Sequence, residues 1–153
     1  MSRAYPDRPL VGVGVILLRP GAVLLVRRAR PPGQGSWALP GGAQELGETA
    51  EAAARRELRE ETALEVGALH FAGHVDAIHR DPDGRVAYHY TILDFAAVWH
   101  AGEPVAGDDV DGAGFFADDS AEFQALSDAA LRLIARARQM LGLDAPISAA
   151  VRR

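Results

Sequence analysis

Residues Thr49 to Thr62 read TAEAAARRELREET, dense in Ala, Glu, Arg and Leu with no glycine or proline inside. Helix propensity sustained over such a run predicts one uninterrupted helix. Thr49 is placed to cap it, and Glu51 to favour the positive end of its dipole. Within that helix Glu57, Glu60 and Glu61 stand at i, i+3 and i+4, so their carboxylates share one face. Like charges at that spacing cost about 0.2–0.5 kcal/mol per pair on an open surface. Nothing in helix stability asks for them, whereas a divalent cation among them offsets the repulsion. Directly upstream, Pro40-Gly41-Gly42 allows a sharp backbone turn with carbonyls directed into a site.

The remaining chain must build a support for this helix. Leu10 to Leu18 (LVGVGVILL) is apolar and rich in Val and Ile, predicting a buried strand. A turn over Arg19 to Ala22 leads to a returning strand, Val23 to Arg28. Arg30 to Ser36 reads as a loop, and Trp37 to Leu39 as a short strand entering the Pro-Gly-Gly turn. Strand segments are expected over Glu65 to Phe71 and Gly73 to His79. A turn at Asp81-Pro82-Asp83-Gly84 then precedes a long strand, Arg85 to His100. Ala101 to Ala113 is acidic and glycine-rich, hence a loop, and Phe115-Phe116 a short last strand. Ser127 to Leu141 carries Leu131, Ile134 and Ala137 at helical spacing and predicts a second helix. Strands, helix, strands, helix describe an α+β or α/β sandwich, a mixed sheet between helices. With no repeat and no linker, residues 1–153 are expected to form one domain, its core over about 8–141 and a flexible tail over 142–153.

Composition narrows the chemistry. There is no cysteine, so disulfides and thiolate metal sites are excluded, and a hydrolytic metal must use oxygen or imidazole ligands. Carboxylates point to hard cations, Mg²⁺ or Mn²⁺. The net charge of −5 shows none of the basic excess of proteins that bind long nucleic acid. The apolar run Leu10 to Leu18 is too short to span a bilayer, and the segment before it lacks a signal-peptide pattern, so the expected location is the cytoplasm. The long aromatic strand and the second helix offer surfaces for a homodimer.

Residues Gly42 to Leu64, GAQELGETAEAAARRELREETAL, resemble the Nudix box: Gly42, Glu48, Arg56-Glu57-Leu58, Glu60-Glu61 and Leu64 fall at the family's spacings. Ala63 stands where the family usually has glycine, near the helix end, where a left-handed residue is common. That substitution implies a strain of order 1 kcal/mol or a less left-handed turn. The resemblance implies a Nudix-type α/β/α sandwich and metal-dependent cleavage of a diphosphate linkage. It implies Glu57 and Glu61 as principal metal ligands, Glu60 as ligand or water-mediated partner, and the Gly41 carbonyl as a further ligand. Arg56 is implied to pair with Glu48 and to orient the helix as structural support.

The general base is, by the same resemblance, a box glutamate or a later loop carboxylate. Asp108 and Asp109 are the loop candidates taken forward from Glu103, Asp108, Asp109 and Asp111. Arg28 is a candidate phosphate contact, since a guanidinium grips phosphate bidentately, or a strand-end surface arginine. Trp37 either stacks on a base or packs in the core. His79 and Arg80, cationic and near a turn, are candidate substrate contacts. Strand alternation puts Tyr88 and Tyr90 on one face and His89 on the other. The wider pattern is similar to a bacterial group called ADP-ribose pyrophosphatases, which implies a small nucleotide substrate, ADP-ribose or another nucleoside diphosphate sugar. The alternatives are a sanitising nucleoside triphosphate pyrophosphohydrolase and a non-catalytic nucleotide-binding regulator.

Overall fold

In the computed structural model, which describes residues 3–143, strand β1 (Leu10–Arg19) lies at the centre of a mixed sheet. Both of its faces are covered, which is why its sequence is an unbroken apolar run and not an alternation. On one side β1 runs parallel to β6 (Val86–Val98), and β6 pairs antiparallel with the outer strand β5 (His70–Arg80). On the other side β1 turns at Gly21 into β2 (Ala22–Arg28), but only Leu18↔Val23 and Arg19↔Ala22 pair before the two strands part. The split matters for the site. β1 is left free to pair with β4 (Gly41–Ala43), while β2 pairs with β3 (Trp37–Ala38) and β7 (Val110–Ala117).

Helix α1 (Ala50–Thr62) covers one face: Val13, Val15 and Leu17 of β1 meet Ala53, Ala54 and Leu58. The small Ala53 and Ala54 let the helix approach closely, and full burial of Leu58 stabilises the contact by about 2 kcal/mol. Helix α3 (Asp128–Leu141) covers the other face, where Ile16 and Leu18 meet Ile134 and Ala137. The expected sandwich of a mixed sheet between helices is the observed one. Both caps follow the residue types: Ala52 N donates to Thr49 Oγ1 at 3.0 Å, and Ala130 N to Ser127 Oγ at 3.1 Å. Among the described residues no helix is long and apolar enough to cross a membrane.

Several expectations are corrected. The last strand is not Phe115-Phe116 alone but Val110–Ala117, so the expected loop ends early. Glycine-poor propensity misleads there, because Gly112 makes room for Trp37: a Cβ on it would lie 2.9 Å from the indole. The two segments expected after the first helix form one strand, β5, kinked by a bulge between Phe71 and Gly73, and Glu65 to Leu69 lie outside it. Gly41-Gly42 belongs to β4, not only to a turn. A short helix α2 (Ala121–Gln124), capped by Ser120, was not expected. Gly142 ends α3 in the left-handed region and Leu143 packs on its core; the rest of the tail expected over 142–153 lies outside the described residues.

Candidate active site

The site forms where β4 passes beneath α1. Gly14 and Gly41 are register partners, and neither has room for a side chain: a Cβ on Gly41 would overlap the Val13 carbonyl oxygen. The strand can therefore run directly under the helix. Gly42 lies against the Glu57 carboxylate, and an added Cβ would stand 2.5 Å from Glu57 Oε1. The Gly41 amide donates to Glu61 Oε1 at 2.8 Å. Two of the three helical glutamates are thus buried against a glycine strand, Glu57 with 8% and Glu61 with 4% of its surface exposed, while Glu60 faces solvent.

A single guanidinium organises the acids. Arg56 grips Glu48 bidentately, Nη2 to Oε1 at 2.7 Å and Nε to Oε2 at 3.0 Å. Its Nη1 donates to Glu57 Oε1 at 2.8 Å and to Glu60 Oε2 at 3.2 Å, and its Nη2 also reaches the Ala43 carbonyl at 3.0 Å. Those hydrogen bonds, first among them the one to Glu48, hold Arg56 above the usual guanidinium range. The Arg56 hydrogen bonds bring the Glu48 carboxyl down to about 2. The implied supporting pair is therefore present, and Arg56 does more than the resemblance assigned it, since it also fixes Glu57 and Glu60.

Burial acts the other way on the inner acids. It raises Glu57 despite Arg56, with the charges of Glu60 and Asp109 adding to the rise. It raises Glu61 to about 8, against the pull of the Gly41 amide and Arg28 and with the help of Glu57 and Asp109. The site is a partly dehydrated negative well that resists being fully ionised.

The acidic loop completes the well by docking on the open end of the helix. The last carbonyls of a helix lack intrahelical donors. Here Val105 N donates to the Thr62 carbonyl at 2.9 Å and Gly107 N to the Glu61 carbonyl at 3.1 Å. Gly107 sits so near that a Cβ would be 2.7 Å from the Glu60 carbonyl oxygen. The chain then turns through Asp108 at φ 56°, which carries its carboxylate over the helix. Oxygens of Glu57, Glu60 and Asp108 all lie within 4.8 Å of one another. Three carboxylates brought together in this way offer the oxygen donors that a hard cation such as Mg²⁺ takes. The site residues therefore fit such an ion, with Asp108 beside Glu57 and Glu60, and Glu61 close enough to act on Glu57. Loop docking was not legible, but an Ala-Gly-Asp-Asp run inside an acidic loop was its signal.

The other candidates separate. Arg28 donates from Nε to the Pro32 carbonyl at 2.6 Å and is close enough to influence both Glu61 and Tyr90. Asp109 bears on Glu57 and Glu61, and its carbonyl accepts from Ala29 N at 3.0 Å. Asp111 is held off by an ion pair with Arg27 at 2.6 Å. Trp37 packs edge-on to Phe116 with centroids 4.7 Å apart and beneath Arg27, so its ring is a packing element. His79 and Arg80 are exposed at the β5–β6 hairpin, where Arg80 donates to the Gly84 carbonyl at 3.0 Å. They stand about 20 Å along the strand from the row of Gly14 and Gly41, six residues at ~3.3 Å each. The structure does not bring them to the acidic well.

With this geometry in view, residues 8–138 match the NUDIX domain family. The chain is 41% identical over 108 residues to an ADP-ribose pyrophosphatase of Methanocaldococcus jannaschii, a match covering 71% of this chain and 62% of that protein. It is 48% identical over 61 residues to an oxidized purine nucleoside triphosphate hydrolase of Danio rerio, covering 40% of this chain and 39% of that protein. The chain thus spans less than two thirds of the length of either relative. A MutT NUDIX hydrolase from Burkholderia pseudomallei superposes with TM-score 0.72 and 31% identity, over 85% of this chain and 98% of that one.

Proposed function

The chain belongs to the NUDIX family, and from that premise we propose that it is a cytoplasmic pyrophosphohydrolase that cuts the diphosphate linkage of ADP-ribose or a related nucleoside diphosphate sugar. The observation that carries this reading is the convergence of Glu57, Glu60 and Asp108 under the control of Arg56. These three carboxylates would hold Mg²⁺ or Mn²⁺, with the Gly41 carbonyl as the further ligand that the family resemblance implies. When bound, the ion supplies charge neutralisation on the diphosphate and makes an attacking water more acidic.

The protein's own groups do the rest. Arg56 keeps two ligands in place through one nitrogen, so their geometry is set before substrate arrives. Arg28, beside Glu61, meets the phosphate charge. Glu61, clamped at Oε1 by the Gly41 amide, would accept the proton of the attacking water once a bound cation has favoured its ionised form. Its dehydrated setting gives it the proton affinity a base working near neutral pH requires. Asp109 keeps that affinity high.

The ADP-ribose reading is favoured by the extent of the likeness. The 108 matched residues of the archaeal relative run far beyond the box, whereas the match to the triphosphate hydrolase covers 61. Triphosphate cleavage is the second reading. A regulator that has lost catalysis is disfavoured because the three helical glutamates are all present. The test is a panel of ADP-ribose, other nucleoside diphosphate sugars, dNTPs and oxidised dGTP with Mg²⁺, products identified by mass. AMP plus ribose phosphate from ADP-ribose is expected, with Glu57→Gln and Asp108→Asn each lowering turnover at least about 100-fold. Pyrophosphate from triphosphates alone would establish the second reading, and no cleavage at all would overturn both.

A further inference from the structure

One acid has no part in the chemistry above. Asp94 in β6 is buried, with 3% of its surface exposed, and its carboxyl has no hydrogen-bond or ionic partner among the described residues. Burial alone pushes it up, to about 7. No side-chain oxygen or nitrogen among the described residues is both sealed from solvent and unpartnered. The Asp94 oxygens therefore carry the residue's small exposed surface. An unpartnered buried carboxyl is costly to keep, and the fold makes room for it. Its register neighbours are Gly14 on β1 and Gly73 on β5. A Cβ on Gly14 would overlap Asp94 Oδ1, and one on Gly73 would lie 2.7 Å from Leu133 of α3.

Asp94 marks the edge of what α3 covers. On the same face, Ala96 lies in the core with Ala72 and Ile134. In the other direction come Ile92 and Tyr90, only half-buried, folded down over Gly12, whose Cβ would stand 3.4 and 3.3 Å from them. Their β5 partners Val75 and Ala77 are also half-buried. The result is a flat apolar shelf with an aromatic ring at one end and an unpaired carboxyl at the other. Arg28 joins it to the acidic well, since its charge acts on both Tyr90 and Glu61.

We propose that this shelf holds the nucleobase of the substrate, stacked over Ile92 and Tyr90, and that the Asp94 carboxyl selects bases bearing an amino group. The inference rests on the nucleotide reading of the acidic well. A flat apolar floor suits a planar ring, because base–aromatic stacking is indifferent to which base is present. Selection then falls to the buried carboxyl, which discriminates strongly when the wrong base leaves it unpaired. Ionised, it accepts from an exocyclic amine, and a carbonyl at the same ring position faces it with lone pairs.

The test is calorimetric binding to the full chain in EDTA at pH 8.5, where Asp94 is ionised, with AMP against inosine monophosphate and CMP against UMP. For at least one pair the amino nucleotide is expected to bind about tenfold more tightly than its oxo counterpart. Asp94→Asn, whose amide can also donate, is expected to bring that ratio within threefold, and Glu61→Gln to leave it unchanged. Equal affinities within both pairs, a preference for the oxo base, or an undiminished ratio in Asp94→Asn would each overturn the proposal. Should Asp94→Asn fail to fold, Tyr90→Leu on the exposed end of the shelf is expected to weaken both members of a pair about tenfold with their ratio kept; unweakened binding overturns it too. Turnover enters none of these readouts, so a failure of the hydrolase reading appears in the substrate panel and a failure of this one appears in the binding ratios.

Discussion

Replacing the best-buried acid of the site should stabilise the metal-free protein while destroying its activity. Glu61 is raised to about 8 chiefly by burial, and its Oε1 accepts from Gly41 N at 2.8 Å. In the unfolded chain the same carboxyl titrates at the usual 4.5. Between those two values the folded protein holds a proton that the unfolded chain has released, so stability falls as pH rises through the window. The loss is about 1 kcal/mol at pH 5, about 3 kcal/mol at pH 7, and between about 4 and 5 kcal/mol above pH 9. Glutamine in place of Glu61 has the same shape, still offers an oxygen to the Gly41 amide, and has no charge to dehydrate.

In EDTA, Glu61→Gln should therefore melt about 6–12 °C above the wild type at pH 7, taking ~2–4 °C per kcal/mol for a chain of this size. The gap should nearly close at pH 5. Asp94 is also raised, to about 7, and slopes stability in the same direction, so the wild-type curve alone does not isolate Glu61. The difference between wild type and variant does, because Asp94 is common to both. Far-UV circular dichroism melts from pH 5 to 9 measure it. Saturating Mg²⁺ should raise the wild type and narrow the gap, since the cation favours the ionised acids, while turnover of the variant should fall by about 10²–10⁴-fold. A gap that is independent of pH, or a variant less stable than wild type at pH 8, would show that burial does not govern the charge of this group.

Two further substitutions probe the backbone. Ala63 ends α1 at φ 62°, ψ 10°, with its amide donating to the Arg59 carbonyl at 2.9 Å. Ala63→Gly removes a left-handed penalty of about 1–2 kcal/mol and adds roughly 0.4–1 kcal/mol of unfolded-chain entropy; a rise in melting temperature of about 2 °C with kcat unchanged is expected, and a fall would refute the strain. Gly42→Ala drives a methyl to 2.5 Å from the Glu57 carboxylate. It should lower kcat at least about 100-fold and weaken Mg²⁺ binding in a titration, with α1 still folded by circular dichroism; full activity would mean that Glu57 is free to move away.

How far the sequence could be read depended on whether the information was local. The helix, its Thr49 cap and the shared face of its glutamates follow from propensity and spacing within one segment, and all are present. β1 was legible because burial on both faces leaves no polar residue in it to confuse the pattern. What failed was information carried by pairing. β7 reads VDGAGFFA, a poor strand by composition, and exists because β2 supplies a free edge and Trp37 needs a glycine beneath it. Asp108 and Asp109 were indistinguishable as adjacent loop acids. The loop's amides satisfy the orphan carbonyls at the end of α1, and past the positive φ at Asp108 that carboxylate stands with Glu57 and Glu60 while Asp109 bears on Glu57 and Glu61.

The same logic shows why Asp94 passed unremarked inside a strand rich in β-branched and aromatic residues. In the sequence it is one acid in TILDFAAV, separated by tens of residues from Gly14 and Gly73. Each glycine alone reads as a weak point in a strand. Brought into register on either side of Asp94, one gives its Cβ space to the Asp94 carboxyl and the other gives its own to Leu133 of α3. A fold that spends two strand glycines and an unpaired acid on one row sacrifices packing, hydrogen bonding and solvation together at that point. Departures of this kind are expected at functional sites. That row pairs, through Gly14 and Gly41, with the strand beneath the acidic helix, which sets the unpaired carboxyl one strand away from the Glu61 clamp.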